Sequence, residues 1–384
     1  MKQRRNGSIG GCRLADGPED FRRFGLRSDV IEGWEDGLRT TGGPGSYEWW
    51  YFDAHLDDGS ALVIAFYTKN PMSPDRPLEP YVTVNLDRPG AVPLVVEDHS
   101  PAAQFEASHD HCDVRIGEHT FRGDLRHYEI HVVHDDCVID VELTSHVPSW
   151  RPATGHLLFE GRDEYVFAWL PAVPQGTVSV AVTSGDSTEH FTGVGYHDHN
   201  WGDLAMNKLI NHWYWGRAQA GPYSIIASHI TAEYAYDSAE IPVFLMAKGD
   251  NVVADDSSKV RFSVEGERID EQSGKPIGNA IVYEYELEDE SYRVTFHWGQ
   301  TIVDAQLIDQ LSGIKHILAR LARFDGSYLR FTGNVQLEHF VAGVKVEDVS
   351  DPGIWELMYF GHTSARHDHV DLTAGSPSDE RAAS

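Results

Sequence analysis

The sequence contains few cysteines and few basic residues. Cys12, Cys112 and Cys137 are its only cysteines, at unrelated spacings and without a C-x-x-C pair. This usage predicts a cytoplasmic protein with reduced thiols. Lys and Arg number 31 against 60 Asp and Glu, giving a formal net charge of -29. Such a charge argues against nucleic acid as a partner, because phosphate binding needs clustered basic side chains. It also disfavours an anionic membrane surface.

Several familiar signatures are missing as well. No apolar run approaches the length of a membrane helix, so we expect no stable membrane insertion. The basic start, residues 1–5, is not followed by the apolar segment of a signal peptide. The chain has no G-x-G-x-x-G after a strand, no phosphate-binding Gly-Lys-Ser/Thr loop, no H-E-x-x-H and no G-x-S-x-G. A nucleotide or nicotinamide cofactor therefore has no recognisable site.

Short segments with period-two alternation dominate what is present. They are rich in β-branched and aromatic residues, and turn residues bound each of them. Many short strands at near-regular spacing predict a mainly β protein built from barrels or sandwiches. The clearest predicted strands are residues 62–67, 81–86, 138–143, 281–287, 292–298 and 328–335.

The organisation along the chain predicts two β-rich halves. We expect an N-terminal extension over 1–44, one β unit over 45–215, a second over 216–364, and a mobile polar tail over 365–384. Apolar residues at helical spacing between Leu307 and Leu321 predict one short helix in the C-terminal half.

The stretch from Gly193 to Asp203 has the highest density of chemically reactive side chains. On a strand, His197 and His199 would share one face and Asp198 the other. That arrangement suits a two-histidine metal site or a hydrogen-bonded acid–base pair. Metal sites usually need three or four protein ligands, and no second ligand motif is evident, so we expect no bound metal. The alternative is a tight turn that closes a barrel, with the glycines supplying unusual backbone angles.

Two further aromatic clusters accompany this stretch. In the first, Trp213, Trp215 and Arg217 would share a strand face, with Tyr214 on the other. The face is either a packed core or an aromatic wall that holds an apolar ligand or a developing cation. In the second, residues 47–53, Glu48, Trp50 and Phe52 would share a face. Glu48 is either solvated or, if buried beside an indole, a general acid with a raised pKa.

The order and spacing of these motifs resemble the carotenoid 1,2-hydratase (hydroxyneurosporene synthase) family. The motifs are Tyr47–Asp53, Gly195–Gly202 and Trp213–Arg217, and the resemblance covers about residues 45–235. It implies two lipocalin-like antiparallel β-barrels packed side by side, without a metal or organic cofactor. The same superfamily includes lipocalin-type Diels–Alderases, which fold a linear polyene into a decalin.

The resemblance also implies roles for individual residues. The hydratases protonate an alkene with a His and a Trp, which correspond to His199 and Trp201. A Tyr and an Asp are expected on the strand after the Trp-Gly-Arg cluster. That strand offers Tyr223 and His229 here but no carboxylate, a departure that weakens the prediction of carotenoid hydration.

The leading hypothesis is a cofactor-free cyclase, similar to a Diels–Alderase, acting on a long apolar polyene or polyketide in natural-product biosynthesis. Acid-catalysed hydration or cyclisation of a carotenoid or other isoprenoid double bond is the alternative, and a non-catalytic carrier of an apolar ligand is the third. The oligomeric state is left open. The predicted catalytic residues are His197, Asp198, His199, Asn200 and Trp201, and the predicted substrate-binding residues are Glu48, Trp50, Trp213, Tyr214, Trp215, Arg217, Tyr223 and His229.

Overall fold

The computed structural model describes residues 10–162, 164–271, 273–306 and 326–360, with no side chains for 304–306. Most of these residues, about three fifths, lie in antiparallel β-strands. The first sheet contains β1 (Gly11–Leu14), β2 (Tyr47–Leu56), β3 (Ala61–Tyr67), β4 (Tyr81–Asp87), β5 (Leu94–His99), β6 (Phe105–Ala107), β7 (Asp113–Ile116), β8 (His119–Gly123), β9 (His127–His134), β10 (Cys137–Ser145), β11 (His156–Glu160), β12 (Glu164–Ser184) and β13 (Ser187–Gly202).

The second sheet is formed by the later part of the chain. Its strands are β14 (Ile210–Ala220), β15 (Tyr223–Ala232), β16 (Glu240–Lys248), β17 (Asn251–Ala254), β18 (Val260–Glu265), β21 (Ala280–Glu286), β22 (Glu290–His297), β23 (Gln300–Gln306), β24 (Ser327–Val341) and β25 (Val344–Tyr359). Two short strands, β19 (Arg268–Ile269) and β20 (Pro276–Ile277), pair only with each other. The described helices are α1 (Pro18–Phe24), α2 (Met206–Leu209) and 3₁₀ turns at Gly33–Asp36, Ala102–Gln104, Tyr234–Tyr236 and Ser257–Lys259.

Each large sheet curls around its own apolar core as a half-barrel. This confirms the prediction of a mainly β protein with two lipocalin-like antiparallel β units. Along β4, Val82, Val84 and Leu86 are buried while Asn85 and Asp87 are exposed, as the period of a strand requires. All six predicted strands lie within or overlap observed strands. The predicted helix between Leu307 and Leu321 and the tail from residue 365 lie outside the described residues. No helix within the described ranges has the length and apolarity to cross a membrane.

The strand order places β2 and β13 at the middle of the first sheet and β14 at the middle of the second. In the first sheet the order is β5-β4-β3-β2-β13-β12-β10-β9-β8-β7-β6, with β11 joining β1 to β12. In the second it is β17-β16-β15-β14-β25-β24-β22-β21-β18, with β23 on β24. All three sequence motifs therefore lie on central strands.

A third group of buried side chains lies between the two sheets. It joins Trp169 and Tyr196 of the first sheet to Ile226 and Leu245 of the second. The change of sheet occurs between Gly202 and Ile210, whereas the predicted limit between residues 215 and 216 lies inside β14. The predicted extension, 1–44, contributes β1 to the first sheet. The domain limits themselves stay a prediction.

The glycine-rich motif is a continuous strand, so the alternative of a tight turn is wrong. Gly193 and Gly202 both lie in β13, and neither has a positive φ. They are needed for close approach. A Cβ on Gly193 would lie 2.1 Å from the carbonyl oxygen of His55, and one on Gly202 would lie 2.3 Å from the hydroxyl of Tyr47.

Candidate functional site

Strand β13 divides the histidine motif between two environments, as the alternation predicted. His197 and His199 point into the first core, where both are fully buried. Asp198 and Asn200 point the other way, toward the second sheet, and bond to each other there. The predicted catalytic residues therefore do not meet in one site.

His199 lies between two aromatic rings inside the first core. Its imidazole stacks on Trp50 at 4.7 Å and contacts Trp201 at 4.9 Å. Its Nε2 lies 2.8 Å from Glu48 Oε1. The carboxylate of Glu48 also accepts hydrogen bonds from the backbone N–H groups of Arg39 and Thr40. Glu48 is fully buried, so the alternative of a solvated residue is wrong, and it holds the chain and the His199 ring in place. Its role as a general acid stays a prediction.

His197 is held by a second carboxylate in the same core. Its Nδ1 lies 2.8 Å from the carbonyl oxygen of Tyr51, and its Nε2 lies 3.2 Å from Asp36 Oδ2. Tyr128 donates to the same Oδ2 at 2.5 Å. Burial alone would raise the pKa of Asp36, but His197 and the other partners outweigh burial and lower it. The two histidines thus compensate two buried acids.

The same core contains one group of potential metal ligands. Asp36, Cys112 and His197 each offer a ligand atom within 4.8 Å of the others. Burial, with smaller contributions from Asp36 and Asp113, raises the pKa of the Cys112 thiol, which disfavours the thiolate that a metal needs. Asp36 and His197 already bond to each other, and the Cys112 thiol donates to the carbonyl oxygen of Phe121, although Asp36 Oδ1 has no hydrogen-bond partner among the described residues.

We call the contact layer between the two sheets the seam; the buried group that joins the sheets lies in it. The seam is faced by Tyr51, Asp53, Tyr196 and Asp198 from the first sheet and by alternate residues of β14, β24 and β25 from the second. The seam-facing residues of the second sheet are Trp213, Trp215, Arg217, Tyr328, Arg330 and Glu356, while their chain neighbours pack in the second core.

Asp198 is one of the buried acids of the seam. Its Oδ2 accepts hydrogen bonds from Trp169 Nε1 at 2.8 Å and from the Tyr196 hydroxyl at 2.7 Å. Its Oδ1 accepts from Asn200 at 2.7 Å. Burial raises the pKa of Asp198 to about 6, although these three donors oppose the shift. A carboxyl group poised near neutral pH suits proton donation.

Strand β14 supplies the facing wall. Trp215 contacts Tyr196 edge-on at 5.6 Å, and Trp213 lies 6.3 Å from Phe167 of the first sheet. Arg217 crosses the seam to form a buried ion pair with Asp53. Trp213, Trp215 and Arg217 therefore share a face, as predicted, and together they form an aromatic wall with one paired cation.

Three predicted substrate-binding residues lie elsewhere. Tyr214, Tyr223 and His229 face the core of the second sheet. Tyr214 packs 5.3 Å from Phe262, and the His229 ring stacks on Phe262 at 4.0 Å. The Tyr223 hydroxyl donates to Glu347 at 2.6 Å. These three side chains therefore do not face the seam.

Trp201 borders a separate cleft of about 470 Å³ at the end of β13. The cleft is closed on one side by the segment around Trp34, which belongs to the predicted N-terminal extension. His156 lies beside Trp201 at 5.4 Å, and burial lowers the pKa of His156 to about 4. The predicted pair of His199 and Trp201 thus lies between this cleft and the first core, away from the seam.

Sequence reasoning missed several residues of these clusters. Asp36 lies in a 3₁₀ turn of the segment taken as an extension, and Trp169 and Arg330 lie in strands without a dense motif. The sequence did contain a pattern that points to Asp36, because Trp34-Glu35-Asp36 combines an indole with two acids, as the three aromatic motifs do. No sequence pattern points to Arg330.

Comparison with known proteins bears on this arrangement. Residues 123–266 match the family model described as Diels-Alderase-like. The resemblance inferred from the motifs is thereby confirmed.

The quinolone epoxide rearrangement protein asqO of Emericella nidulans is 24% identical over 193 residues, 47% of this chain and 53% of that protein. Hydroxyneurosporene dehydrogenase of Chlorobaculum tepidum is 26% identical, covering 45% of this chain and 54% of that one. Diels-Alderase poxQ of Penicillium oxalicum is 29% identical, covering 37% and 32%. The chain thus spans about half or less of the length of these relatives.

Solved structures confirm the fold over most of the chain. The crystal structure of CghA matches with a TM-score of 0.57 at 14% identity, covering 91% of this chain and 98% of that one. Kievitone hydratase from Nectria haematococca matches with a TM-score of 0.50 at 11% identity, covering 92% and 98%.

Proposed function

We propose that this chain is a cofactor-independent cyclase that binds a long apolar polyene or polyketide in the seam and guides its cyclisation by cycloaddition. The observation that carries the proposal is the seam itself. There Trp213 and Trp215 form an aromatic wall opposite Tyr196 and a buried acid, Asp198. A cytoplasmic location and an apolar small molecule as partner are part of this proposal.

The seam has the properties that such catalysis requires. A cycloaddition needs a folded substrate, exclusion of water and one or two hydrogen-bond donors, and it needs no nucleophile. The aromatic side chains provide shape. Because Trp169, Tyr196 and Asn200 all donate to Asp198, the donor left for a substrate at this point is the Asp198 carboxyl group in its protonated form. The relatives named Diels-Alderase and epoxide rearrangement protein are consistent with chemistry of this kind.

Acid-catalysed hydration is the second candidate, and Asp198 favours it. With its pKa raised to about 6, a fraction of this carboxyl group is protonated near neutral pH. It could give its proton to an alkene carbon. The resulting cation would face the rings of Trp215 and Tyr196 before water adds to it.

Product analysis in heavy water distinguishes the two candidates. The purified protein is incubated with linear polyenes that carry a conjugated diene and an activated alkene. Cycloaddition predicts faster cyclisation than in buffer, a changed ratio of stereoisomers and no new carbon-bound deuterium. Carbon-bound deuterium in the product would instead support hydration or proton-initiated cyclisation. Binding without any change in rate or stereochemistry would support the third hypothesis, a carrier.

A further inference from the structure

Arg330 lies at the centre of the seam-facing surface of the second sheet. It pairs in register with Glu356 of β25, which pairs in turn with Trp215 of β14. Its chain neighbours Leu329 and Phe331 are fully buried in the second core. Because side chains alternate along a strand, the guanidinium of Arg330 points into the seam.

Within the described ranges, no side chain or carbonyl hydrogen-bonds to this guanidinium. Its Nε atom is buried and unpartnered, while the residue as a whole is partly exposed. Arg217 provides the comparison. It lies on the same face of the same sheet, yet it is paired with Asp53. A buried donor without an acceptor is unfavourable and uncommon in folded proteins, so the unpaired Nε–H of Arg330, which faces the seam, favours an acceptor from outside the protein.

The groups around Arg330 favour its charged form, although none of the described acids forms an ion pair with it. Burial lowers the pKa of Arg330, but the nearby oxygens of Tyr328, Tyr51, Asp53 and Glu356 outweigh burial and raise it. Asp53 already forms an ion pair with Arg217, and Glu356 accepts a hydrogen bond from the Tyr328 hydroxyl at 2.6 Å. Burial also raises the pKa of Glu356, which weakens this acid as a counter-charge.

We propose that Arg330 binds an anionic oxygen head group of the substrate, a carboxylate or an enolate, while the apolar chain lies against Trp213 and Trp215. A guanidinium is planar and its paired N–H groups match two oxygens. The inference rests on the proposed function, since it places this head group in the same seam. It also narrows the substrate class, because a pure hydrocarbon offers Arg330 no acceptor.

A matched pair of polyenes tests the proposal. The conjugated tetraene parinaric acid and its methyl ester differ only in the charged head group, and the emission of each polyene reports its binding. At pH 8 the acid should bind at least about tenfold more tightly than the ester, the range expected for a hydrogen bond to a charged group. Arg330→Gln and Arg330→Met should abolish this preference without weakening ester binding, and Arg330→Lys should retain part of it.

Arg293→Gln is the control, because it removes a partly exposed, paired cation of the same sheet that is not among the seam-facing residues. It should change stability little and preserve the preference for the acid. Equal binding of acid and ester by the wild-type protein would overturn the role of Arg330 while leaving an apolar seam intact. A preference that survives in both Arg330→Gln and Arg330→Met would do the same. Failure of both probes to bind would instead contradict the proposed function, and this inference with it.

Discussion

Trp169 on β12 donates its indole N–H to the carboxylate of Asp198 on β13 at 2.8 Å, across two neighbouring strands of the first sheet. This bond holds in place a buried acid of the seam. Tyr196 and Asn200 complete the set of donors. The carboxyl group nevertheless titrates near pH 6, because burial outweighs all three donors.

The raised pKa of Asp198 predicts how stability depends on pH. The pKa in the folded state, about 6, exceeds the ordinary value of 3.8, so the folded protein binds this proton more tightly than the unfolded chain does. Its contribution is fully present below pH 3.8 and is lost as the pH rises through about 6. The unfolding free energy of the wild type, relative to Asp198→Asn, should fall by about 1–2 kcal/mol between pH 5 and pH 7.5.

Urea unfolding of both proteins at the two pH values measures this difference. Asp186→Asn, in an exposed turn, is the control and should show no such change. A difference between wild type and Asp198→Asn that is constant with pH would show that Asp198 has no raised pKa.

The alternation of side chains along a strand explains which part of the site could be predicted from the sequence. Alternation alone places His197 and His199 on one face, Asp198 on the other, and Trp213, Trp215 and Arg217 together. It does not say what lies opposite each face. That depends on contacts distant in sequence, such as the one between Asp36 and His197, 161 residues apart. The three aromatic motifs were therefore expected in one pocket, whereas the two curled sheets distribute them among two cores and the seam.

The partners of His199 predict that its removal damages the fold. The ring fills the space between Trp50 and Trp201 and faces the buried acids Glu48 and Asp36. His199→Ala would leave a cavity and two acids without their opposing ring. We expect a loss of about 3–5 kcal/mol in unfolding free energy, measured in urea. His190→Ala, at an exposed position of β13, should cost less than about 0.5 kcal/mol. A stable His199→Ala protein that binds polyenes but does not turn them over would restore His199 as a catalytic candidate.

The ion pair between Asp53 and Arg217 predicts strong coupling between the sheets. Both side chains are buried, so replacing either one leaves a charge without its partner. In a double-mutant cycle of Asp53→Asn and Arg217→Gln, the coupling energy should exceed about 1 kcal/mol. The exposed pair Arg122–Asp113, within the first sheet, should give less than about 1 kcal/mol in the same urea measurements. Similar values for the two pairs would mean that the seam is hydrated like a surface.

The cluster of Asp36, Cys112 and His197 predicts no stoichiometric metal. Two of its members already bond to each other, and the raised pKa of the Cys112 thiol opposes thiolate formation. Elemental analysis of the purified protein should find far less than one Zn, Fe or Mn per chain. Added Co²⁺ should give no thiolate charge-transfer absorption. One metal per chain that is lost in Cys112→Ser, together with activity lost to a chelator, would overturn this expectation.

The position of Trp215 predicts which indole matters for ligand binding. It lies half-buried in the seam against Tyr196, whereas Trp355 is fully buried in the second core and Trp50 in the first. Trp215→Ala should weaken the binding of a linear polyene by at least about tenfold, because it removes a large aromatic contact from the wall. The titration is followed by quenching of the remaining tryptophan emission. Trp355→Phe is the control, since it alters an indole that the seam does not expose, and it should leave affinity unchanged. If Trp50→Phe weakens binding more than Trp215→Ala does, the polyene lies inside the first core, and the seam is not its binding site.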